Sequence, residues 1–243
     1  RNKIIFIGKS YMIPKKIHYV WVGGGEKSEA IKKCMATWKN HLNGYEITEW
    51  NEKNFDIESN PFLKAAYKAK KWAYVSDFIR AKVIYEYGGI YLDTDILLLD
   101  NFDDFLNNRA FVGFENPSYP FTAVFGAEKG HPFVKEMLDY YDRLDSYSFD
   151  FKSNNTISVS DILIKKYGCI TNNRFQILKD DIAVYPDTVL CNPSGESVSV
   201  HVFTGTWLED KKPLARKVNT FLKLRVTNKK RAALFRKYVM RVK

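Results

Sequence analysis

Residues 74–99 read YVSDFIRAKVIYEYGGIYLDTDILLL, and this stretch decides the class of fold. Its first half carries apolar residues at a helical spacing and runs into Gly88-Gly89, a common way for a helix to end. Its second half is rich in aliphatic residues and β-like, and only Asp93-Thr94-Asp95 interrupts it. A helix that leads through two glycines into a buried strand is typical of an α/β protein.

The flanking sequence continues this alternation of strands and helices. Residues 13–22 and 45–50 have strand patterns, and between them Ser28 is suited to cap a helix that reaches about Leu42. Later segments predict strands over 110–115, 121–127 and 198–203, and helices over 131–144 and 160–167. We therefore expect an α/β fold with a mixed, mostly parallel central sheet, in which ligands bind at the carboxyl ends of the strands.

Composition favours a folded protein without metal-thiolate or disulfide cross-links. The 243 residues are 45% hydrophobic and 15% aromatic, which is enough to build a core. Cys34, Cys169 and Cys191 are too few and too scattered for a disulfide framework or a zinc site. No apolar run approaches the roughly 20 residues that span a bilayer, and no secretory signal is visible. The three cysteines are expected to be buried or unused thiols of a protein in the reducing cytosol.

The net charge of +10 resides in the C-terminal segment. Residues 211–243 contain 13 Lys or Arg and no acidic residue, whereas residues 1–210 contain 25 basic and 28 acidic residues. The sequence thus predicts a nearly neutral domain over 1–210 and a basic tail over 211–243, and it gives no reason to expect nucleic acid as a partner.

The spacing of Asp93 and Asp95 is meaningful only because of its surroundings. With 16 Asp in 243 residues, chance alone supplies about one D-x-D. Here, however, both carboxylates interrupt an apolar stretch, where an uncompensated charge costs several kcal/mol. If the segment is a strand, residues i and i+2 share one side and both carboxylates can hold one Mg²⁺ or Mn²⁺ ion. The alternative is a strand end whose two Asp residues accept hydrogen bonds from turn amides.

A second charged pair lies upstream, on the predicted helix. Asp77 and Arg80 are three residues apart and therefore share a helical face. An exposed pair of this kind contributes a few tenths of a kcal/mol and carries no functional meaning. Their neighbours Val75, Phe78 and Ile79 are apolar, so the helix is expected to be buried and the pair to face a ligand.

Three blocks of the sequence resemble one family. They are IPKKIHYVWVGG at 13–24, the stretch at 74–99 with its S-D-x-x-R and G-G-x-Y-x-D-x-D motifs, and HVFTGTW at 201–207. In this order they look like the glycosyltransferases with a D-x-D sugar-binding motif, which include capsule and lipopolysaccharide transferases and glucosylating toxins. The resemblance implies a GT-A type, Rossmann-like single domain, a UDP-sugar donor, Mn²⁺ or Mg²⁺, and retention at the anomeric carbon.

The resemblance also implies roles for individual residues. Trp21, with Val22 beside it, matches the tryptophan that stacks on the nucleobase, although a core tryptophan is an equal expectation. Asp77 and Arg80 match groups that contact sugar, ribose and phosphate. The catalytic set is thus expected to be Asp77, Arg80, Asp93 and Asp95, with Thr94 also at the donor.

The last block is expected to complete the site. His201 is a candidate third metal ligand beside Asp93 and Asp95, although a lone His on a strand is commonly structural. Thr206 and Trp207 match a hydroxyl–tryptophan pair that contacts the donor's β-phosphate, and Lys211 or Lys212 would assist there. The family often carries Asn where this chain has Thr122-Ala123, which leaves acceptor contacts open.

The tail has the pattern of two basic amphipathic helices. Apolar stripes include Leu214, Val218 and Phe221 in one segment and Leu234 and Phe235 in the next, with Lys and Arg between them. Such segments are typical of membrane-surface anchors, and the alternatives are terminal helices with their apolar stripe on the core, or contact with nucleic acid. We expect a peripheral location on the inner face of the cell membrane.

The functional prediction is a metal-dependent retaining transfer of a hexose (glucose, galactose or N-acetylhexosamine) from a UDP-sugar. The expected acceptor is a saccharide of bacterial surface polysaccharide synthesis, for example one linked to undecaprenyl diphosphate. A protein acceptor is an alternative. A Mg²⁺-dependent phosphotransferase or nucleotidyltransferase is a further one, although Gly23-Gly24-Gly25 lacks the Lys-Ser/Thr of a P-loop. A non-enzymatic binding module leaves the buried carboxylates unexplained.

Overall fold

A computed structural model of the chain describes residues 12–144, 155–205 and 214–240. These residues form a seven-stranded central sheet with helices packed against it, and a separate two-stranded sheet. Within these ranges no helix is both long enough and apolar enough to pass through a bilayer. The α/β fold that the sequence predicts, with a mixed central sheet and helices near the C-terminus, is confirmed.

The central sheet is evenly mixed, and thus less parallel than expected. Within the described residues the strands are β1 (Lys16–Val20), β2 (Glu46–Trp50), β3 (Gly89–Leu92), β4 (Ile96–Leu98), β5 (Ala110–Gly113), β6 (Val124–Ala127), β7 (Gln176–Leu178), β8 (Ile182–Tyr185) and β9 (Ser199–His201). The order is β2-β1-β3-β6-β5-β8-β7, with three parallel and three antiparallel pairings. The connection from β5 to β6 holds no helix, so β6 returns antiparallel between β3 and β5.

Two of the helices begin at polar residues that cap them. They are α1 (Glu29–His41), α2 (Pro61–Lys68), α3 (Trp72–Tyr87), α4 (Pro132–Asp142), α5 (Asn155–Tyr167), α6 (Asp187–Leu190), α7 (Leu214–Lys223) and α8 (Lys229–Tyr238). The Ser28 hydroxyl accepts a hydrogen bond from the Ile31 amide, and the Asn60 side chain accepts one from the Leu63 amide. The N-cap predicted at Ser28 is confirmed, and Asn60 caps α2 in the same way.

The turn from α3 into β3 requires glycine. Gly89 has a φ of +112°, and a Cβ there would lie 2.7 Å from the carbonyl oxygen of Lys16. His18 closes the same corner, because its Nε2 donates to the Gly88 carbonyl at 2.9 Å and its Nδ1 accepts from the Trp50 indole at 3.0 Å. The bond from the Trp50 indole needs the neutral imidazole, because a protonated Nδ1 cannot accept. Burial lowers the pKa of His18 to about 4, which keeps the ring neutral near neutrality.

Strand β3 is buried on both faces, so its sequence does not alternate between apolar and polar residues. Ile90 and Leu92 face one hydrophobic cluster and Tyr91 faces the other. Helix α3 covers the Tyr91 side with a nearly continuous apolar surface, including Val75, Phe78, Ile79, Val83 and Ile84. The buried helix that the sequence predicts is therefore present, and it brings its polar residues to the end of β3.

The chain leaves the central sheet after β3. Strand β4 pairs antiparallel with β9, and the register sets Ile96 opposite His201. Leu97 of β4 and Val200 of β9 share a hydrophobic cluster with Phe235 of α8. The two helices predicted for the C-terminal segment are thus present, and α8 packs on the two-stranded sheet. The predicted boundary at residue 210 lies outside the described residues and stays a prediction.

Candidate active site

One cleft is lined by most of the residues that the sequence predicts for the site. It has a volume of about 670 Å³ and lies at the edge where the parallel strands β1, β3 and β5 end. Eight of the ten predicted residues line it: Trp21, Val22, Asp77, Arg80, Asp93, Thr94, Asp95 and His201. Thr206, Trp207, Lys211 and Lys212 lie outside the described residues. The position agrees with the rule that ligands of α/β sheets bind at the carboxyl ends of strands.

The two carboxylates of the D-x-D lie in a turn, which corrects the expectation that they share a strand. Strand β3 ends at Leu92 and β4 begins at Ile96, and the Ile96 amide donates to the Asp93 carbonyl at 3.1 Å. The reason is the change of sheet, because β3 belongs to the central sheet and β4 pairs with β9. A turn rather than the period of a strand therefore brings the carboxylates together.

Asp95 is fixed by the segment that follows β9. Its Oδ2 accepts hydrogen bonds from the Thr204 amide at 2.8 Å and from the Thr204 hydroxyl at 2.9 Å. Its Oδ1 lies 3.3 Å from Nε2 of His201. Burial favours the neutral acid, but His201 and these hydrogen bonds together lower the pKa of Asp95. One carboxylate oxygen thus anchors the turn, and the other faces the imidazole.

His201 is held in a tight corner after the β4–β9 pair. Its imidazole stacks on the Phe203 ring with 3.8 Å between centroids, and Phe203 has a φ of 60°, an unusual conformation for a bulky residue. Its Nδ1 is buried without a hydrogen-bond partner among the described residues. Burial alone would lower the pKa of His201, but the Asp95 carboxylate raises that pKa well above its usual value. This polar side chain is therefore built into the cleft and not part of the hydrophobic core.

Arg80 joins α3 to the D-x-D turn. One terminal nitrogen of its guanidinium lies 3.0 Å from Oδ1 of Asp93 and 3.1 Å from Oδ1 of Asp77. The Tyr91 hydroxyl donates to the same Asp93 oxygen at 3.1 Å, and the Tyr91 ring lies under the guanidinium at 4.5 Å. The Ser76 carbonyl accepts a hydrogen bond from the Arg80 Nε. This network confirms that the pair at 77 and 80 faces inward.

Burial gives Asp77 an unusual protonation equilibrium. Its side chain lies inside the cleft wall, and burial raises its pKa to about 7 although Arg80 acts in the opposite direction. The nearby Asp93 carboxylate raises the pKa of Asp77 further. Asp77 can therefore carry or release a proton near neutrality, as groups that contact reacting ligands often do.

Trp21 also lines the cleft. It directly follows β1, it is partly exposed, and its indole donates to the Gly25 carbonyl at 2.7 Å. Lys27 lies 4.9 Å from the centre of its ring. The loop packs closely on Trp72, since a Cβ at Gly23 would lie 2.6 Å from that indole. Of the two expectations for Trp21, the cleft position is observed and the core position is not.

Asp93, Asp95 and His201 form a group of potential metal ligands. One ligand atom of each lies within 4.8 Å of those of the other two. Two carboxylates and one imidazole form a donor set that suits Mn²⁺ or Mg²⁺. Nε2 of His201 lies 3.3 Å from Oδ1 of Asp95, so the imidazole and this carboxylate oxygen face the same point in the cleft. The residues present therefore fit the cation that the sequence predicts.

Several cleft residues were not predicted from the sequence. Glu115 and Tyr119 line the cleft after β5, and Thr156 and Ile157 line it from α5. Burial raises the pKa of Glu115, and Thr156 forms a hydrogen bond to its side chain. A carboxylate at the end of the apolar run AFVGF is a usable signal, the same kind that marked Asp93. Ala123, at the position left open for acceptor contacts, also lines the cleft.

Parts of the chain are similar in sequence to known proteins. Residues 28–112 match the family described as a glycosyltransferase sugar-binding region containing a DXD motif. Inositol phosphoceramide mannosyltransferase 3 of Schizosaccharomyces pombe is 29% identical over 144 residues, which are 56% of this chain and 39% of that protein. An uncharacterized glycosyltransferase of Acanthamoeba polyphaga mimivirus is 32% identical over 138 residues, covering 50% of this chain and 52% of that protein.

A solved structure, the PaToxG glycosyltransferase, superposes with a TM-score of 0.49 at 19% identity, over 63% of this chain and 69% of that one. The matched region covers about half or less of the length of the two relatives named above. The family match contains α3, the D-x-D turn and most of strand β5. Residues 28–112 of this chain are thus similar to the glycosyltransferase sugar-binding regions that contain a DXD motif.

Proposed function

We propose that the chain catalyses glycosyl transfer from a nucleoside-diphosphate sugar with the help of a divalent cation. The observation that carries this proposal is the grouping of Asp93, Asp95 and His201 within 4.8 Å in the cleft at the strand ends. The family match over residues 28–112 supports it, because that region is described as sugar-binding. A cation beside a guanidinium suits a diphosphate.

Asp93, Asp95 and His201 would hold the cation. When bound, a divalent cation neutralises charge on a departing diphosphate. The chain's own contribution is to keep these ligands fixed before the donor arrives. Thr204 holds the Asp95 carboxylate through two hydrogen bonds, and Tyr91 with Arg80 holds Asp93. A rigid ligand set avoids reorganisation during the reaction, which is the main source of electrostatic catalysis.

Arg80 and Asp77 serve the sugar side of the donor in this proposal. The guanidinium already touches both Asp77 and Asp93, so it links the cation ligands to the helix wall. Its other donors are available to a phosphate or a sugar hydroxyl. Asp77 accepts hydrogen bonds from sugar or ribose hydroxyls when ionised. Same-face attack by the acceptor hydroxyl and covalent double displacement are both compatible with retention.

The nucleobase is assigned to the Trp21 end of the cleft. Trp21 and Val22 directly follow β1, and the partly exposed indole offers a face on which an aromatic base can stack. The base would then bind at Trp21 and the diphosphate at the cation ligands, all of which line one cleft of about 670 Å³. A nucleoside-diphosphate sugar has the same sequence of parts: base, ribose, diphosphate and sugar.

The donor and the acceptor are proposed at a finer level. A UDP-hexose with Mn²⁺ is the first choice from the sequence motifs, but the name of the yeast relative includes mannose, so a GDP-mannose donor belongs in the test. That name also specifies a lipid, inositol phosphoceramide, as acceptor. We propose a saccharide acceptor carried by a lipid. The role in bacterial surface polysaccharide, the undecaprenyl linkage and the cytoplasmic location stay predictions.

Nucleotide release tests the proposal. The chain is incubated with UDP-glucose, UDP-galactose, UDP-N-acetylglucosamine or GDP-mannose, with Mn²⁺ or with EDTA, and water serves as the acceptor if no other is added. We expect one donor to release its nucleoside diphosphate only with the metal. Absence of release for all donors, together with no metal-dependent binding of UDP or GDP, would overturn the proposal. Release of pyrophosphate or transfer of phosphate would instead indicate a phosphotransferase or nucleotidyltransferase.

A further inference from the structure

The C-terminal helices α7 and α8 form a strongly cationic element. Residues 214–240 contain nine Lys or Arg and no Asp or Glu. The rest of the chain is close to neutral, so this element differs from the body in charge and not only in position. An element of one charge sign attracts a surface of the opposite sign over a distance of about 10 Å at ordinary ionic strength.

One side of the element is fixed to the body. Ala232 and Phe235 of α8 are buried in the hydrophobic cluster that includes Leu97 and Val200 of the two-stranded sheet. Lys229 at the start of α8 forms a 2.6 Å ion pair with Asp100. These contacts determine which face of the helix pair points toward the protein, and consequently which face points outward.

The outward side carries large apolar residues. On α7, Leu214 is 77% exposed, Val218 is 48% exposed and Phe221 is 52% exposed. Leu214, Val218 and Leu222 line a shallow apolar groove with Val239, which follows α8 and is 46% exposed. Leu234 and Tyr238 of α8 are exposed as well. We call this set of exposed apolar residues on α7 and α8 the apolar face.

Cations border the apolar face closely. The Arg225 guanidinium lies 3.7 Å from the centre of the Phe221 ring, and the Lys237 ammonium lies 5.2 Å from that of Tyr238. An exposed aromatic ring next to a cation, without any acidic residue nearby in sequence, is the combination found in helices that lie in the headgroup region of a membrane. Apolar side chains enter the acyl boundary there, while Lys and Arg reach anionic headgroups.

We propose that the apolar face of α7 and α8 docks on the surface of a bilayer that contains anionic lipid. Charge complementarity decides between the occupants. A second copy of the chain would bring nine further cations of the same sign against this element, and a nucleic acid would leave the apolar face in water. An anionic bilayer accommodates both features at once, with about 1 kcal/mol for each cation near the headgroups.

Vesicle binding of the whole chain tests the proposal. Co-sedimentation is measured with phosphatidylcholine vesicles and with vesicles in which about one third of the lipid is phosphatidylserine. We expect binding to the mixed vesicles only, and weaker binding at high salt. The variant Val218→Asp introduces a charge into the apolar face, and it should reduce the partition coefficient roughly tenfold or more.

A matched variant separates the apolar face from exposed apolar residues in general. Ile177 on β7 is 55% exposed and lies outside the tail, so Ile177→Asp makes the same chemical change elsewhere. This variant should bind mixed vesicles like the wild type. Circular dichroism and the melting temperature confirm that both variants are folded. Because no donor or acceptor is present, failure of this test is distinct from failure of the proposed transferase activity.

Three results would overturn the proposal. The first is equal binding by wild type and Val218→Asp, or no binding to mixed vesicles at all. The second is a concentration-dependent dimer in light scattering that Val218→Asp dissociates, which would assign the apolar face to a second copy. The third is binding of duplex DNA or RNA that outcompetes the mixed vesicles and is insensitive to Val218→Asp.

Discussion

Lys223, the last residue of α7, donates a hydrogen bond from its ammonium to the backbone carbonyl of His201 at 2.7 Å. Lys223 is only 3% exposed, and its Nζ also lies 4.5 Å from the centre of the Phe203 ring. Burial lowers the pKa of Lys223, which opposes the charged form. The C-terminal helices are therefore attached directly to the corner that holds a candidate metal ligand.

Replacing Lys223 with Met should weaken metal binding while the fold persists. Methionine fills a similar volume without the ammonium, so the His201 carbonyl loses a hydrogen bond to a charged donor, worth about 1.5–3 kcal/mol. We expect the affinity for Mn²⁺, measured by calorimetry in the presence of UDP, to fall about tenfold.

The matched control is Lys229→Met, because Lys229 belongs to the same tail and pairs with Asp100 away from the cleft. Its Mn²⁺ affinity should equal that of the wild type. If both variants bind Mn²⁺ alike, or if Lys223→Met only lowers the melting temperature, Lys223 has no positioning role toward His201.

Asp95→Asn should abolish metal-dependent donor binding. The amide can still accept one hydrogen bond from Thr204, so the turn is retained, but the negative charge that faces His201 is lost. We expect the turnover with the active donor to drop by at least about a hundredfold. Calorimetry should detect no increase of nucleotide affinity on addition of Mn²⁺.

Asp100→Asn provides the control for this change. Asp100 is an acidic residue close in sequence, outside the cleft lining, and paired with Lys229. Its substitution should leave nucleotide release within about twofold of the wild type, the usual range for a surface substitution. Full activity of Asp95→Asn would remove this carboxylate from the candidate metal site.

Arg80→Lys tests whether the positive charge at this position is sufficient for activity or whether the shape of the guanidinium is also required. Lysine keeps one positive charge, but a single ammonium cannot reproduce the contacts of Arg80 with both Asp77 and Asp93 and its hydrogen bonds to Ser76. We expect kcat to fall more than KM rises, since the D-x-D turn loses part of its support.

A shift confined to KM would show that Arg80 contributes only to donor affinity. The control here is Arg109→Lys, because Arg109 pairs with Glu128 at the opposite end of β5 from the cleft. This variant should show wild-type kinetics.

The parts of the site that are close in sequence were predictable, and the parts that depend on distant segments were not. Residues 74–99 contain α3, its glycine end and the D-x-D, so local pattern and apolar context were enough to identify them. The turn at Asp93–Asp95 depends on β4 pairing with β9, more than 100 residues later, and Thr204 lies 109 residues from Asp95. A sequence pattern shows that a segment is buried, but not which segment covers it.

The burial of Lys223 likewise could not be predicted from the sequence. A lysine in a basic helix is expected to be solvated, and its pattern in the tail is no different from that of Lys217 or Lys229. Only the docking of α8 through Phe235 brings the end of α7 against β9, where the lysine becomes buried. The evenly mixed sheet was also not predicted. The sequence of β6 does not indicate whether the strand runs parallel or antiparallel to its neighbours β3 and β5.

The neutral state of His18 predicts how stability depends on pH. The pKa of His18 is about 4 in the folded protein, against 6.5 for an exposed histidine. Between these values the unfolded chain binds more protons, so the free energy of unfolding rises with pH by up to about 1.4 kcal/mol per pH unit. This stability is complete above pH 6.5 and is lost as the pH falls toward 4, in total about 3 kcal/mol.

His18→Gln isolates this contribution from the carboxylates and from His131, which also titrate on acidification. Glutamine is neutral at every pH, and its amide can donate to the Gly88 carbonyl while its oxygen accepts from the Trp50 indole, as the imidazole does. Urea denaturation at several pH values between 4 and 7 should show a smaller loss of stability for this variant than for the wild type. Parallel pH dependences in the two proteins would mean that His18 is protonated without cost, and thus that burial and the bond from the Trp50 indole do not hold it neutral.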